Sequence, residues 1–272
     1  PRSAVLSCSS IILSICIALV SCNKKPTEKA EEVTEDEEME VFDNPPIEWF
    51  DIEGSDFNAI VIADRVMKAM GGRKAWDDTR YISWNFFGSR KLLWDKWTGD
   101  VRVEYLKSDL NIIVNIHDLT GKVQKDGMEM TNVDSLKVYL DKGKRNWIND
   151  SYWLVMPYKL KDSGVTLSFL EEDSTLAGKK SYLIELTFKD VGVTPQNYYE
   201  VWVDEETNLV SQWAFYRNHG QIEANFVMPW QDYKQYGNIL LSGDRGERQL
   251  TDIKILESVP DHTFKAFDPV VL

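Results

Sequence analysis

Apolar residues recur at helical spacing in two parts of this chain. From Asp56 onward they fall three or four residues apart until Gly71-Gly72. That spacing predicts an amphipathic helix with Asp56 as its N-cap and the glycine pair as its stop. The same pattern predicts a second helix over about 134–149, and this helical region ends near residues 153–157.

Most of the remaining chain alternates between polar and apolar positions. These segments are rich in β-branched and aromatic residues and are separated by Gly, Asn and Asp turns, which is typical of antiparallel strands. Two further strands are expected within 233–259, so the pattern predicts a mainly β, α+β domain. The predicted strands are 81–88, 91–97, 101–107, 110–117, 165–170, 181–189, 198–203, 209–216 and 222–228.

The first twenty residues have a different pattern. Arg2 precedes the apolar run 11–20, which ends at a small residue and a cysteine, the order found in secretory signals. The run is shorter than the roughly 20 apolar residues that a membrane-spanning helix needs. Leu19-Val20-Ser21-Cys22 resembles the bacterial lipobox. The resemblance implies a signal peptide over 1–21 and lipid attachment at Cys22.

An acidic segment follows the cysteine. Residues 23–43 include nine acidic and three basic side chains and few apolar ones, a composition that stays solvated and extended. We therefore expect 22–49 to be a lipidated tether that anchors the protein to a membrane through acyl chains. Residues 50–272 are then expected to form a single β-rich domain, a size common for one all-β unit.

Composition excludes several kinds of site. All three cysteines lie at or before Cys22, so the domain has no thiol for disulfides, zinc sites or nucleophilic catalysis. The formal charge of −13 argues against a nucleic-acid partner, because phosphate backbones are bound by clustered Lys and Arg. No protein partner is indicated by the sequence.

Several short motifs can be compared with known families. They are Gly71-Gly72 with Trp76, Trp94-Asp95-Lys96 with Thr98-Gly99, Tyr152-Trp153-Leu154 with Met156-Pro157, and Val191-Gly192-Val193-Thr194-Pro195. Together they resemble an uncharacterised family of Gram-negative envelope lipoproteins with a domain of unknown function. This resemblance implies a location in the cell envelope, lipid-anchored at the outer membrane.

The order of helix, meander, helix and further strands is more distantly similar to the lipoprotein-carrier superfamily that includes LolA, LolB and LppX. The similarity implies a strongly curved antiparallel sheet, an open half-barrel, with two or so helices on its concave side. Members of that superfamily hold acyl chains between sheet and helices. A LolA-like fold here would therefore contain an apolar cleft.

Large aromatic residues at alternate strand positions are the candidates for the lining of such a cleft, because alternation places them on one face of a sheet. The same residues are equally typical of a packed core, and they could also be platforms for sugar rings. The candidate ligand-binding residues are Trp84, Phe86, Trp94, Trp202, Trp213, Phe215 and Phe226.

Catalytic and metal-binding patterns are absent from the sequence. His117, His219 and His262 are isolated, without the spacing of a metal site, and neither a G-x-S-x-G elbow nor a glycine-rich phosphate loop occurs. We expect no metal and no cofactor. The leading hypothesis is a non-enzymatic lipoprotein that binds a lipid or acyl chain. The alternatives are a glycan- or protein-binding surface module, with exposed Trp147, Trp153 or Trp230, and a hydrolase.

Overall fold

The folded part of the chain begins before the predicted domain boundary at residue 50. The computed structural model describes residues 44–189 and 194–271. Buried Asn44 accepts a hydrogen bond from the backbone N–H of Arg73 over 3.0 Å. The signal sequence, Cys22 and the acidic segment to residue 43 lie outside the described residues, so their roles stay predictions.

Three α-helices occur in the described residues: α1 at Phe57–Ala69, α2 at Gly72–Asp78 and α3 at Val133–Val155. A 3-10 helix at Met156–Lys159 continues α3. None of the helices within 44–189 and 194–271 is long and apolar enough to span a bilayer.

The two predicted helices are confirmed as α1 and α3, whereas α2 was not predicted. Gly71 follows the end of α1, as predicted, and turns the chain directly into α2. Its φ is +112°, and a Cβ atom there would lie 2.3 Å from the carbonyl oxygen of Asn238. Only glycine fits this combination of positive φ and close backbone approach.

Fourteen strands make up most of the rest of the described chain. They are β1 Tyr81–Phe86, β2 Arg90–Asp95, β3 Asp100–Tyr105, β4 Leu110–Asn115, β5 Gly121–Lys125, β6 Met128–Glu129, β7 Val165–Ser174, β8 Lys180–Phe188, β9 Tyr198–Asp204, β10 Val210–Tyr216, β11 Phe226–Pro229, β12 Gln231–Tyr236, β13 Ile239–Arg245 and β14 Arg248–Leu256.

The strands form two antiparallel, curved and unclosed sheets. The first sheet has nine strands in the order β12-β13-β14-β1-β2-β3-β4-β5-β6, and the second has five in the order β11-β10-β9-β8-β7. The chain passes between them at Trp230, directly after Pro229 ends β11. The predicted mainly β, antiparallel fold is thus confirmed, with its strands divided between two sheets.

Several predicted strand limits differ from the structure. The strand expected over 222–228 is confined to Phe226–Pro229, and Ile222 is almost fully exposed in the preceding loop. The carbonyl of Gln221 in that loop accepts a hydrogen bond from the hydroxyl of Tyr198. The C-terminal part contains three strands where two were expected, and β5 and β6 were not predicted.

The largest apolar core lies between α3 and the inner faces of the sheets. Ile82 and Trp84 from β1 are fully buried in it. Gly143 allows a close approach of α3 to the first sheet, because a Cβ atom there would lie 2.7 Å from Cγ2 of Ile112. The helix therefore packs directly on β4.

Candidate functional site

A cleft of about 500 Å³ separates the C-terminal half of α3 from the inner face of the second sheet. Its volume lies in the range of small-molecule sites, which is roughly 300–1,000 Å³. The lining combines aromatic side chains with a polar rim. The described lining residues are Arg145, Trp147, Ile148, Asn149, Ser151, Tyr152, Trp153, Lys159, Asp162, Ser163, Val165, Phe188, Thr194, Asn197, Tyr199, Trp213, Phe215 and Phe226.

The wall formed by α3 follows from helical spacing. Trp147 and Ser151 are four residues apart, as are Ile148 and Tyr152, so these side chains share one side of the helix. All four line the cleft. The sequence of α3 thus places two aromatic rings, Trp147 and Tyr152, along the cleft.

Two arginines, one half-buried and one fully buried, hold α3 in place. Arg90 from β2 binds Asp150 of the helix in a bidentate pair, with N–O distances of 2.6 and 2.8 Å. Arg245 from β13 donates to the carbonyl of Trp153 over 2.7 Å, where the last turn of the helix has unpaired carbonyls. Burial lowers the pKa of Arg245 to about 9, so it remains mostly charged near neutral pH.

The opposite wall is a row of aromatic rings across three neighbouring strands. The register pairs Phe215 with Tyr199 on one side and with Phe226 on the other. Trp213 lies two residues before Phe215 and therefore faces the same side of the sheet. The rings of Tyr199 and Trp213 are parallel, with centroids 5.5 Å apart.

The two walls meet at the base of the cleft. Tyr152 lies 5.1 Å from Tyr199 between ring centroids, and Trp153 lies 4.9 Å from Trp213 at right angles. Such edge and tilted contacts are favourable for aromatic rings. They join helix to sheet while the rings nearer the rim, including Phe215, stay partly exposed.

The charged side chains of the lining already have ionic partners. Lys159 is paired with Asp162, and Arg145 with Asp141 at 2.7 Å. Asp162 is the one acidic residue among the described lining residues. Burial raises the pKa of Tyr152 well above its usual value, so its phenol is neutral at physiological pH.

No family model matches the chain, and no curated protein matches it. Four chains of solved structures are similar to it, including the following three. A DUF1329 family protein from Desulfovibrio piger has a TM-score of 0.42 and 11% identity, covering 76% of this chain and 97% of that chain. A putative outer membrane lipoprotein-sorting protein domain from Vibrio parahaemolyticus has a TM-score of 0.36 and 10% identity, covering 75% and 97%.

The third structure is a LolA superfamily protein from Nitrosomonas europaea. Its TM-score is 0.33 and its identity 10%, covering 76% of this chain and 97% of that chain. The structures that are similar to this chain thus include a member of the superfamily that the sequence resembles. Because every TM-score is below 0.5, the functional argument rests on the residues of this cleft.

The structure brings three of the seven predicted lining residues together in the cleft: Trp213, Phe215 and Phe226. Phe86 and Trp94 lie one layer behind it, in the core. Their rings contact Trp153 and Trp147, with centroids 6.5 and 5.1 Å apart.

The other two candidates lie away from the cleft. Trp84 is fully buried in the main core. Trp202 lies on the outer face of the second sheet, in a separate cluster with Ala214 and Tyr216. Its indole nitrogen donates to Asp173 over 2.8 Å. Ligand binding by any of the seven stays a prediction.

The sequence prediction does not include five aromatic lining residues: Trp147, Tyr152, Trp153, Phe188 and Tyr199. Tyr199 and Phe188 could have been found from alternation, since each occupies an inward position on a predicted strand. Trp147, Tyr152 and Trp153 lie on α3, and strand alternation cannot identify residues of a helix.

The alternative hypotheses, a surface-binding module and a hydrolase, depend on three tryptophans and on His117. Trp147 and Trp153 line the cleft and Trp230 is buried, so these three indoles do not form an exposed row. His117 is exposed, and its ring lies beside Gly99 in a turn. Within 44–189 and 194–271, no group of His, Cys, Asp or Glu side chains could hold a metal ion.

Proposed function

We propose that this protein binds the acyl chain of a lipid, or of a lipid-modified molecule, in the cleft between α3 and the second sheet. The observation that supports it most is the lining itself. Eight aromatic rings from a helix and four strands surround a space of about 500 Å³, and its charged residues are paired at the rim. We infer that the protein works in the cell envelope, anchored through Cys22.

Burial of methylene groups supplies the driving force for such binding. Each methylene group removed from water contributes about 0.8 kcal/mol, so twelve of them contribute roughly 10 kcal/mol. Association itself costs about 4–15 kcal/mol in lost freedom. The gain from burying an acyl chain is thus of the same size as the cost of association, and no covalent step is needed for binding.

The test uses the indoles of the cleft as reporters. Fatty acids brominated along the chain quench nearby tryptophan fluorescence on contact, and Trp147, Trp153 and Trp213 all line the site. We expect quenching that saturates at one equivalent for the chain from Asn23 onward, which keeps every described residue. Native mass spectrometry should detect one added ligand per protein.

A matched pair of variants on β11 distinguishes binding in the cleft from binding at the outer surface of the sheet. Phe226→Glu places a charge in the cleft, whereas Val227→Glu places it one residue away, on the opposite face. We expect Phe226→Glu to abolish uptake and Val227→Glu to leave it unchanged, with both variants folded by circular dichroism. Absence of quenching and of a mass shift in the unmodified protein would overturn the proposal.

A further inference from the structure

Three buried hydrogen-bond donors line the cleft without a partner among the described residues. They are Nε1 of Trp147, the hydroxyl of Tyr152 and Nε1 of Trp213. Trp213 is 1% exposed, and its ring centroid lies 6.4 Å from that of Tyr152. A buried donor left unpaired is costly, so native structures rarely keep one without a reason.

The hydroxyl of Tyr152 is the more informative of these groups. Tyr158, Tyr198 and Tyr233 each donate their hydroxyl to a backbone carbonyl at 2.6 to 3.0 Å. The hydroxyl of Tyr216 donates to Glu200 over 2.6 Å. Four tyrosine hydroxyls in this fold thus have an acceptor, whereas Tyr152 is surrounded in the cleft by the rings of Phe188, Tyr199 and Trp213.

Unpaired indole nitrogens also occur outside the cleft, at Trp84 and Trp230 for example. Trp84 is fully enclosed by protein atoms, and Trp230 is covered by the guanidinium of Arg245, 3.3 Å from its ring centroid. An unpaired indole alone therefore does not indicate a ligand. Trp213 differs from these two because it lines the cleft together with Tyr152, whose hydroxyl also has no partner.

The chemistry of the donors limits what they can bind. The hydroxyl of Tyr152 and Nε1 of Trp213 are neutral hydrogen-bond donors, so the group that they bind must offer an acceptor oxygen. A buried carboxylate would need a cation, but Lys159 and Arg145 of the lining are already paired with acids. A carbonyl oxygen accepts hydrogen bonds and carries no charge. It is the acceptor that suits this position.

We propose that the cleft recognises acyl esters, with the ester carbonyl oxygen accepting hydrogen bonds from the hydroxyl of Tyr152 and Nε1 of Trp213. This inference rests on the proposed function. It adds that the ester end of the acyl chain enters the cleft, which holds the chain in one orientation. The cleft would then bind an acyl ester more tightly than a hydrocarbon of the same length.

The experiment compares three probes with similar chains: methyl laurate, dodecane and laurate. Each is delivered from cyclodextrin and competes with a brominated fatty acid for the cleft. We expect methyl laurate to bind about tenfold more tightly than dodecane, which corresponds to about 1.4 kcal/mol. We also expect it to bind more tightly than laurate at pH 7.

Tyr152→Phe removes the hydroxyl and keeps the ring. We expect this variant to bind methyl laurate about as weakly as dodecane, while its dodecane affinity is unchanged. Tyr216→Phe is the matched control, since it removes a hydroxyl on the outer face of the second sheet. The infrared carbonyl band of bound, carbon-13-labelled ester should lie at lower frequency in the unmodified protein than in Tyr152→Phe.

The outcomes separate the two proposals. If ester and alkane bind equally, and Tyr152→Phe changes neither, ester recognition is wrong while acyl binding stands. If laurate binds best, the cleft recognises a charge and the ester inference is again overturned. If no probe binds, both proposals fail.

Discussion

The ion pair between Arg90 and Asp150 should be essential for the position of α3. The carboxyl group of Asp150 is fully buried, and its two oxygens accept hydrogen bonds from Arg90 at 2.6 and 2.8 Å. Asn149 adds one donor at 2.9 Å. Arg90→Met keeps an apolar stem of similar length but leaves the carboxylate without its cation. Removing one partner of a buried pair costs about 3–5 kcal/mol.

The pH dependence of this cost follows from the protonation of Asp150. Burial raises the pKa of Asp150, and in Arg90→Met the compensating charge is gone. A carboxyl whose pKa is higher in the folded state loses stability as pH rises above its unfolded pKa of about 3.9. The cost should therefore be largest at pH 7 and smaller at pH 4.5, changing by up to about 1.4 kcal/mol per pH unit.

The assay is urea unfolding followed by tryptophan fluorescence at both pH values. The control is the double variant Arg90→Met with Asp150→Leu, which removes both charges. An apolar replacement of a buried pair is often close to neutral, so we expect the double variant to recover most of the loss. A single variant that loses less than about 1 kcal/mol at pH 7, or the same amount at pH 4.5, would refute the reasoning.

Three further variants probe other parts of the fold. Burial lowers the pKa of Lys96 to about 8, so stability should rise by about 2 kcal/mol between pH 8 and 9.5, and Lys96→Met should abolish this rise in urea unfolding. Gly143→Ala gains about 1 kcal/mol of helix propensity but forces a Cβ atom to 2.7 Å from Ile112, which costs about 1–3 kcal/mol. The net result should be a loss of about 1 kcal/mol in unfolding free energy. Arg102→Gln should make the C-terminal segment more sensitive to carboxypeptidase, detected by mass, because Arg102 donates to the carbonyls of Ala266 and Asp268.

Strand alternation predicted which aromatic residues share a face within one strand. Trp213 and Phe215 were paired correctly, because residues two apart in a strand point the same way. Alternation does not relate one strand to the next. Trp202 lies opposite Gln212 in the register, and therefore faces away from the cleft together with Gln212. Only the register, which depends on pairing at a distance, assigns Trp202 to the outer face.

The helices were predicted more reliably than the site they help to form. Helical periodicity needs only local sequence, so α1 and α3 were expected near their observed limits. The short helix α2 was missed because Gly71 has two structural interpretations, a stop or a turn between helices. Its close approach to Asn238, which decides between them, comes from a part of the chain far away in sequence.

The cleft itself depends on how α3 packs against the two sheets. Gly143 lets α3 lie directly on Ile112 in the first sheet. Farther along the same helix, Tyr152 and Trp153 place large rings between α3 and the second sheet. Small side chains at one contact and large ones at the other hold the helix near the first sheet and away from the second. The cleft therefore depends on the volumes of side chains on elements that face each other in three dimensions. Neither helical spacing nor strand alternation predicts it, because each pattern describes a single element.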